Sequence, residues 1–195
     1  MYKDLYLKIM DALVSDGYIV IQNALDSKLP KELVSIVEDE NGFKKAGISS
    51  SDDLHLDASR RRDRTRWLDE DDGAQSDFLA FTKGLSEYLN RSLYLGLKTY
   101  ESHFAIYEEG DFYEKHLDAF RGEKNRVVTT VYYLNDNWSE GDGGELVVYD
   151  ENDKELTQVM PHANTLVVFM SEKFPHEVLP AKAKRYSIAG WFRVD

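Results

Sequence analysis

Two side chains that can bind a metal stand two residues apart in the segment 113–118. His116 and Asp118 are separated only by Leu117. On an extended strand, residues two apart point to the same side, so an imidazole and a carboxylate would converge on one point. Because His-x-Asp arises by chance in many proteins, the pair alone is more often two ordinary polar residues than a metal site.

His176, at the start of an apolar segment, adds a third possible ligand. Two histidines and one carboxylate on adjacent strands can occupy one face of an octahedron and leave three positions open, an arrangement typical of non-haem iron(II) oxygenases. A structural zinc site would need a fourth protein ligand, and the sequence contains no cysteine to supply it. The pattern therefore predicts an iron(II) centre at His116, Asp118 and His176.

Arg185 follows on the strand that we expect to return beside the metal. A guanidinium presents a rigid fork that matches a carboxylate, so it suits the distal carboxylate of 2-oxoglutarate better than a lysine would. Taken alone, such an arginine is more often a surface or ion-paired residue. The hypothesis depends on the full set of His-x-Asp, a later His and a following Arg.

The elements that must position these residues fall into two halves. Helices are predicted around Leu5–Val14, from about Ser27 with Asp26 or Ser27 as its cap, and over about 75–95, with a short strand at Tyr18–Ile21. Residues 44–74 are polar and predict a long, functional or mobile loop. Short β-branched and aromatic runs then predict strands at 100–107, 127–134, 145–149, 155–160, 165–169, 176–179 and 185–194. This order indicates a sandwich or barrel with helices packed on one face.

Composition limits the classes of partner. The net charge of -12 argues against binding to nucleic acid or to an anionic membrane surface. No apolar run approaches the length of a membrane span, and the N-terminus lacks a signal-peptide core, so we expect a cytoplasmic protein. An arginine cluster at 60–66, interrupted by Asp63 and followed by acidic residues at 69–72, is interpreted as a solvated, self-compensating loop, with a substrate-contacting loop as the alternative.

The chain resembles the 2-oxoglutarate-dependent prolyl hydroxylases, specifically the oxygen-sensing type and its bacterial relatives. The likeness extends over nearly the whole sequence. It is densest in Tyr107 with His116-Leu117-Asp118, in Tyr132-Tyr133-Leu134-Asn135 with Trp138, in Gly143-Gly144-Glu145-Leu146, in Pro175-His176-Glu177-Val178 and in Arg185-Tyr186 through Trp191. The resemblance implies an α+β fold, with a double-stranded β-helix (jelly roll) and N-terminal helices packed on one face. We expect one domain over 1–195, with helical support and a substrate loop in 1–99 and the jelly-roll core in 100–195.

The same resemblance implies further roles. Tyr133, Tyr107 and Leu146 would join Arg185 around 2-oxoglutarate, and Arg126 and Trp191 would line the substrate entrance. Ordinary sheet core is the alternative for Tyr107, Tyr133 and Trp191. His55, His103 and His162 are interpreted as structural or solvated.

The implied reaction is hydroxylation of a prolyl residue in a protein or peptide. Iron(II) and 2-oxoglutarate would take part, with ascorbate as a possible reductant and succinate and carbon dioxide as co-products. The alternatives are an oxygenase acting on a free amino acid or another small molecule, and a non-catalytic binding module that keeps the fold without metal. We expect a monomer or a weak homo-oligomer. Ala189 stands where the animal enzymes carry a threonine, so the resemblance implies nothing about oxygen affinity.

Overall fold

The computed structural model describes residues 2–50, 53–55, 59–70, 73–119 and 125–195. Within these ranges the chain forms three helices, α1 (Lys3–Ser15), α2 (Leu29–Glu38) and α3 (Gly73–Leu93). Apolar residues recur at helical spacing along each of them, and α3 buries Phe78, Phe81, Leu85 and Leu89 on one face. The three predicted helices are confirmed. None of the helices described is both long and apolar enough to cross a membrane.

The prediction that Asp26 or Ser27 caps α2 is wrong. Lys28 occupies the N-cap position and makes no side-chain capping hydrogen bond. The carboxylate of Asp26 instead accepts a hydrogen bond from the backbone N–H of Lys28, at 2.9 Å, one step before the helix begins. Pro30 in the first turn favours the start of the helix. Proline lacks a backbone N–H, and an N–H at this position would have no partner within the helix.

Thirteen strands are present in the described part of the chain. They are β1 (Tyr18–Ile21), β2 (Lys44–Lys45), β3 (Ile48–Ser50), β4 (Asp53–His55), β5 (Arg64–Trp67), β6 (Thr99–Tyr107), β7 (Tyr113–His116), β8 (Arg126–Tyr133), β9 (Leu146–Tyr149), β10 (Glu155–Val159), β11 (Leu166–Met170), β12 (His176–Val178) and β13 (Arg185–Arg193). A seven-stranded antiparallel sheet has the order β1-β11-β8-β13-β6-β5-β2, and a four-stranded antiparallel sheet has the order β10-β9-β12-β7. Strands β3 and β4 form a separate hairpin.

The larger sheet separates two apolar clusters. Ile188 and Phe192 of β13 join the cluster that the three helices cover. The alternating residues of the same strand, Arg185, Ser187 and Ala189, line a cavity on the other side of the sheet. The second apolar cluster, which includes Tyr133 and Val148, draws on both sheets. Because side chains alternate between the two faces of β13, Arg185 and Ser187 lie on the cavity side of the sheet.

The described parts of segment 44–74 contain four short strands, where the polar composition predicts a long, functional or mobile loop. Strand β5 pairs antiparallel with β6, with Arg64 opposite Ile106 and Trp67 opposite His103. Strand β2 extends the sheet by one more short strand. A polar sequence can form such a strand because its pairing partner, β6, supplies the buried apolar residues. This segment therefore builds one wall of the cavity.

Candidate active site

The predicted metal ligands are brought together, although not all on strands. Strand β7 ends at His116, and Asp118 lies in a bend beyond it. The expectation that both residues share one extended strand is therefore wrong for Asp118. The bend still directs its carboxylate back, because Asp118 Oδ1 lies 3.7 Å from His116 Nε2.

His176 completes the group from the neighbouring strand. It is the first residue of β12 and stands directly opposite His116 in the antiparallel pairing. Its Nε2 lies 3.5 Å from Asp118 Oδ2, and the three ligand atoms lie within 4.8 Å of one another. These separations are too long for normal hydrogen bonds, but they suit three ligand atoms around one ion.

Backbone carbonyls set the tautomers of both histidines. His116 Nδ1 lies 2.7 Å from the carbonyl oxygen of Glu114, and His176 Nδ1 lies 3.0 Å from that of Phe174. A carbonyl oxygen only accepts, so each Nδ1 carries the hydrogen and donates it. The lone pair of each imidazole is then on Nε2, the atom that faces Asp118.

The protonation states also favour metal binding. Burial, followed by the neighbouring His176, lowers the pKa of His116 to about 3, so this ring is neutral at physiological pH. Burial opposes ionisation of Asp118, but His176, His116, the indole N–H of Trp191 and the hydroxyl of Thr129 lower its pKa. The neutral imidazole of His116, the carboxylate of Asp118 and the second imidazole, that of His176, match the donor set of a facial iron(II) site.

A short chain of hydroxyl groups orients Asp118. The hydroxyl of Thr129 on β8 donates a hydrogen bond of 2.8 Å to Asp118 Oδ2. Ser171 Oγ lies 2.9 Å from the same Thr129 oxygen. Since the hydrogen of Thr129 is engaged by the carboxylate, Ser171 donates to Thr129. All three residues are buried, so this order of donors holds the carboxylate in a fixed orientation.

Arg185 has the surroundings of an anion-binding group. It is 1% exposed, and its guanidinium donates to the carbonyl of Gly144 at 2.8 Å and to the hydroxyl of Ser187 at 3.2 Å. Among the described residues no carboxylate pairs with it. A buried cation without a counter-charge is costly, so the site fits a ligand that carries a carboxylate. Gly144 allows this packing, because a Cβ at that position would lie 2.9 Å from Arg185 Cδ.

Aromatic rings surround the guanidinium. Its central carbon lies 4.7 Å from the ring centroid of Tyr107 and 5.1 Å from that of Tyr133. The hydroxyl of Tyr133 is buried and has no hydrogen-bond partner within the described part of the chain. Such an unsatisfied hydroxyl beside an unpaired cation is the second observation that fits a bound carboxylate. Burial raises the pKa of Tyr133, so the phenol keeps its hydrogen.

These groups share an open cavity of about 1250 Å³. The three predicted metal ligands line it, namely His116, Asp118 and His176. Arg185, Tyr107 and Leu146 line it as well. Arg126 and Trp191 line it as well, with the guanidinium 4.0 Å from the indole centroid. Arg126 also pairs with Glu101 at 2.7 Å. The structure therefore brings every predicted site residue to this cavity except Tyr133, which is fully buried behind Arg185.

Sequence reasoning missed one buried ion pair. Arg61 pairs with Asp63 through hydrogen bonds of 2.6 and 2.8 Å, and Asp63 is fully buried. The interpretation of the whole arginine cluster as a solvated loop is therefore wrong for Arg61. The spacing of two residues, which places both side chains on one face of an extended segment, could have revealed the pair. Residues 71 and 72 of the acidic run lie outside the described residues.

His103 also differs from its prediction in one respect. It is buried, as a structural histidine would be, but its side chain lines the cavity. His162 is exposed, as expected for a solvated residue. The side chain of His55 lies outside the part of the chain that the structure describes.

Comparisons with known proteins agree with this geometry. A family model described as the 2OG-Fe(II) oxygenase superfamily matches residues 102–193. The crystal structure of a Pseudomonas putida prolyl-4-hydroxylase is 34% identical, with a TM-score of 0.87 over 97% of this chain and 99% of that one. The chain belongs to the 2OG-Fe(II) oxygenase superfamily.

Two further relatives are also prolyl hydroxylases. A prolyl hydroxylase from Trichoplax adhaerens, solved in complex with a hypoxia inducible factor oxygen degradation domain peptide fragment, is 26% identical, with a TM-score of 0.85 over 97% of this chain and 89% of that one. The hypoxia-inducible factor prolyl hydroxylase of Caenorhabditis elegans is 31% identical over 90% of this chain. This chain spans only 26% of the length of that relative.

Proposed function

We propose that this chain is an iron(II)- and 2-oxoglutarate-dependent dioxygenase that hydroxylates a prolyl residue in a protein or peptide. The observation that carries the proposal is the shared cavity. It contains two imidazoles and a carboxylate that converge on one point, together with a buried guanidinium that no carboxylate of the described residues neutralises.

Each residue has a distinct role in this proposal. His116, Asp118 and His176 hold the ferrous ion. Arg185 and Tyr133 bind the distal carboxylate of 2-oxoglutarate, because the guanidinium and the phenolic O–H are the buried donors that lack an anionic partner. Tyr107 and Leu146 form the walls beside it, and Arg126 and Trp191 line the substrate entrance.

When bound, iron(II) and 2-oxoglutarate supply oxidative decarboxylation, which yields succinate and carbon dioxide and transfers one oxygen atom of dioxygen to the substrate. The protein supplies the geometry of this reaction. Thr129 and the backbone carbonyls of Glu114 and Phe174 fix the ligand atoms, and the apolar side chains of Leu146 and Val178 limit access of water to the carboxylate site.

The prolyl substrate is inferred from the relatives. The proteins from Pseudomonas putida, Trichoplax adhaerens and Caenorhabditis elegans are named as prolyl hydroxylases, and the second was solved with a peptide fragment. The open cavity of about 1250 Å³ has room for a peptide segment above the metal-binding group. These observations support a protein or peptide substrate over a free amino acid.

Several finer statements belong to the same proposal. The two facing sheets are inferred to form a double-stranded β-helix, or jelly roll, and residues 1–195 to fold as one domain. Use of ascorbate as reductant, a cytoplasmic location, and a monomeric or weakly associated state remain predictions.

The proposal is tested by supplying the purified chain with Fe(II), 2-oxoglutarate and air. Succinate release is measured with a library of proline-containing peptides and, separately, with free proline, and mass spectrometry detects the addition of one oxygen atom. The His176→Ala variant is the matched control. Hydroxylated peptide supports the proposal, and hydroxylation of free proline alone identifies a small-molecule oxygenase. Absence of succinate with every peptide and with free proline contradicts the proposed prolyl hydroxylase activity.

A further inference from the structure

His103 occupies a position in the cavity wall that the roles assigned above do not use. It lies on β6 directly opposite Ala189 of β13, and both residues line the cavity. Ala189 adds only a methyl group to this part of the wall. Of these two paired residues, His103 is therefore the one that offers a polar group to a bound molecule.

We propose that His103 is a substrate-binding residue, whose Nε2 accepts a hydrogen bond from a neutral N–H donor of the polypeptide beside the target prolyl residue. This inference rests on the proposed function, because it assumes that the cavity takes a peptide. It adds a specificity-determining contact on the side of the cavity formed by β5, β6 and β13.

The hydrogen bonds of the ring define which nitrogen is available. His103 Nδ1 lies 3.2 Å from the carbonyl oxygen of Phe104. Since this oxygen can only accept, Nδ1 carries the hydrogen and Nε2 carries the lone pair. No group among the described residues donates to Nε2. An acceptor in a buried ring without a partner needs one from a bound molecule or from water.

Two indole rings hold the imidazole in place. The ring centroid of Trp67 lies 5.5 Å from that of His103 at an interplanar angle of 81°, and that of Trp191 lies 5.4 Å away at 55°. Trp67 is 60% exposed, whereas His103 is 5% exposed. The exposed indole offers an apolar surface next to the cavity, and the buried imidazole offers an acceptor within it. A peptide segment with apolar prolyl and polar N–H groups matches both features.

The charges around the ring select a neutral donor. Burial, followed by the nearby Arg61, lowers the pKa of His103 to about 4, Arg126 acts in the same direction, and Asp63 opposes them. The imidazole is therefore uncharged at neutral pH and does not attract an anion. A backbone N–H is the neutral donor that every peptide carries, except at a prolyl residue itself.

A matched set of variants tests the contact. His103→Phe keeps an aromatic ring between the two indoles but removes the acceptor. We expect kcat/KM for a hydroxylated peptide to fall about tenfold, mainly through KM, which is the size of effect of one neutral hydrogen bond. His103→Gln restores an acceptor of similar reach and is expected to recover most of the loss. His162→Phe, at an exposed position, is the control for a general effect of the substitution.

Modified peptides identify the donor. N-methylation of single backbone nitrogens on either side of the target prolyl residue is expected to lower wild-type kcat/KM at one position by the same factor as His103→Phe, and to have no additional effect in that variant. If His103→Phe raised KM equally for the peptide and for 2-oxoglutarate, the role of His103 would be structural and the inference would be overturned. So would unchanged peptide kinetics in His103→Phe. If the wild type hydroxylates no peptide, the proposed function itself fails, a result distinct from an unaffected variant.

Discussion

The phenol ring of Tyr113 lies flat against the imidazole of His116, with 3.7 Å between the ring centroids and 19° between the planes. The guanidinium of Arg61 lies 4.6 Å from the centroid of the same phenol ring. The imidazole of His116, a proposed metal ligand, is therefore packed against an aromatic ring, and the buried Arg61–Asp63 ion pair lies against the same ring. This order of contacts connects the segment before β5 to the metal-binding group.

Truncation of Tyr113 is expected to weaken binding of iron. In Tyr113→Ala the imidazole of His116 loses the surface that restricts its rotation, and affinity for Fe(II) should fall about tenfold, the lower end of the range for residues that orient metal ligands. Tyr113→Phe keeps the stacked ring and should bind iron like the wild type. Anaerobic equilibrium titration measures both constants, and equal affinity in the alanine variant would show that the stacking has no positioning role.

Loss of the charge on Asp63 should destabilise the fold. Asp63→Asn keeps the shape of the side chain but leaves the largely buried Arg61 without its counter-charge. The free energy of unfolding is expected to fall by roughly 3–5 kcal/mol, as for other broken buried ion pairs. Urea denaturation measures the change. The double variant Arg61→Met with Asp63→Leu removes both charges and should recover much of the stability, and a double variant no better than Asp63→Asn would contradict this explanation.

The hydroxyl of Thr129 is expected to contribute more to the affinity for Fe(II) than the hydroxyl of Ser171. Thr129→Val preserves the shape of the side chain but removes the hydrogen bond to Asp118, and affinity for Fe(II) is expected to fall about 10- to 100-fold. Ser171→Ala leaves that hydrogen bond in place and should have a smaller effect. Both variants are compared in the same anaerobic titration. A larger loss in Ser171→Ala would contradict the role assigned to the hydrogen bond between Thr129 and Asp118.

Substitution of Arg185 should act on 2-oxoglutarate rather than on iron. Arg185→Lys keeps the positive charge but not the planar fork, and Arg185→Gln removes the charge. The KM for 2-oxoglutarate is expected to rise about 10- to 100-fold in the glutamine variant, the size of one charge-assisted hydrogen bond, and less in the lysine variant. Succinate release as a function of 2-oxoglutarate concentration measures the effect. An unchanged KM in both variants would show that another residue binds the carboxylate of 2-oxoglutarate.

The ion pairs of Glu40 predict a dependence of stability on pH. Hydrogen bonds from Lys184 and then from Arg64 lower the pKa of this carboxyl below its usual value. A carboxyl with a lowered pKa in the folded state stabilises the fold above its unfolded pKa, and this contribution is lost as pH falls through the folded pKa. The melting temperature of wild type should therefore exceed that of Glu40→Gln at pH 7 and converge with it in acid. A difference that persists at low pH would indicate an effect other than ionisation.

Sequence patterns predicted the elements that carry their own apolar periodicity. The helices α1 and α3 and the strands β6, β8, β11 and β13 have regular apolar repeats, so their positions follow from the chain alone. His176 and Arg185 were placed correctly on β12 and β13 because they begin strands whose remaining residues are apolar. The proximity of His116, Asp118 and His176 could be predicted because all three are residue types that can bind a metal ion.

Features created by tertiary contacts could not be predicted in this way. Strand β5 is short and polar, and its pairing with β6 depends on a partner distant in the sequence. The bend that holds Asp118 beyond the end of β7 has no local signal, because its geometry depends on Thr129 of β8. Burial of Arg61 likewise depends on the packing of Tyr113 and Asp63 around it.

Stoichiometric binding of Fe(II) tests the central claim most directly. Purified wild type and the variants His116→Ala, Asp118→Ala and His176→Ala are equilibrated with Fe(II) without oxygen, and the bound metal is measured by elemental analysis. We predict a single ferrous ion per wild-type chain and a large loss of affinity in each of the three variants. Wild type that binds no iron, or variants that all bind it as tightly as wild type, would contradict the assignment of these residues as the metal ligands.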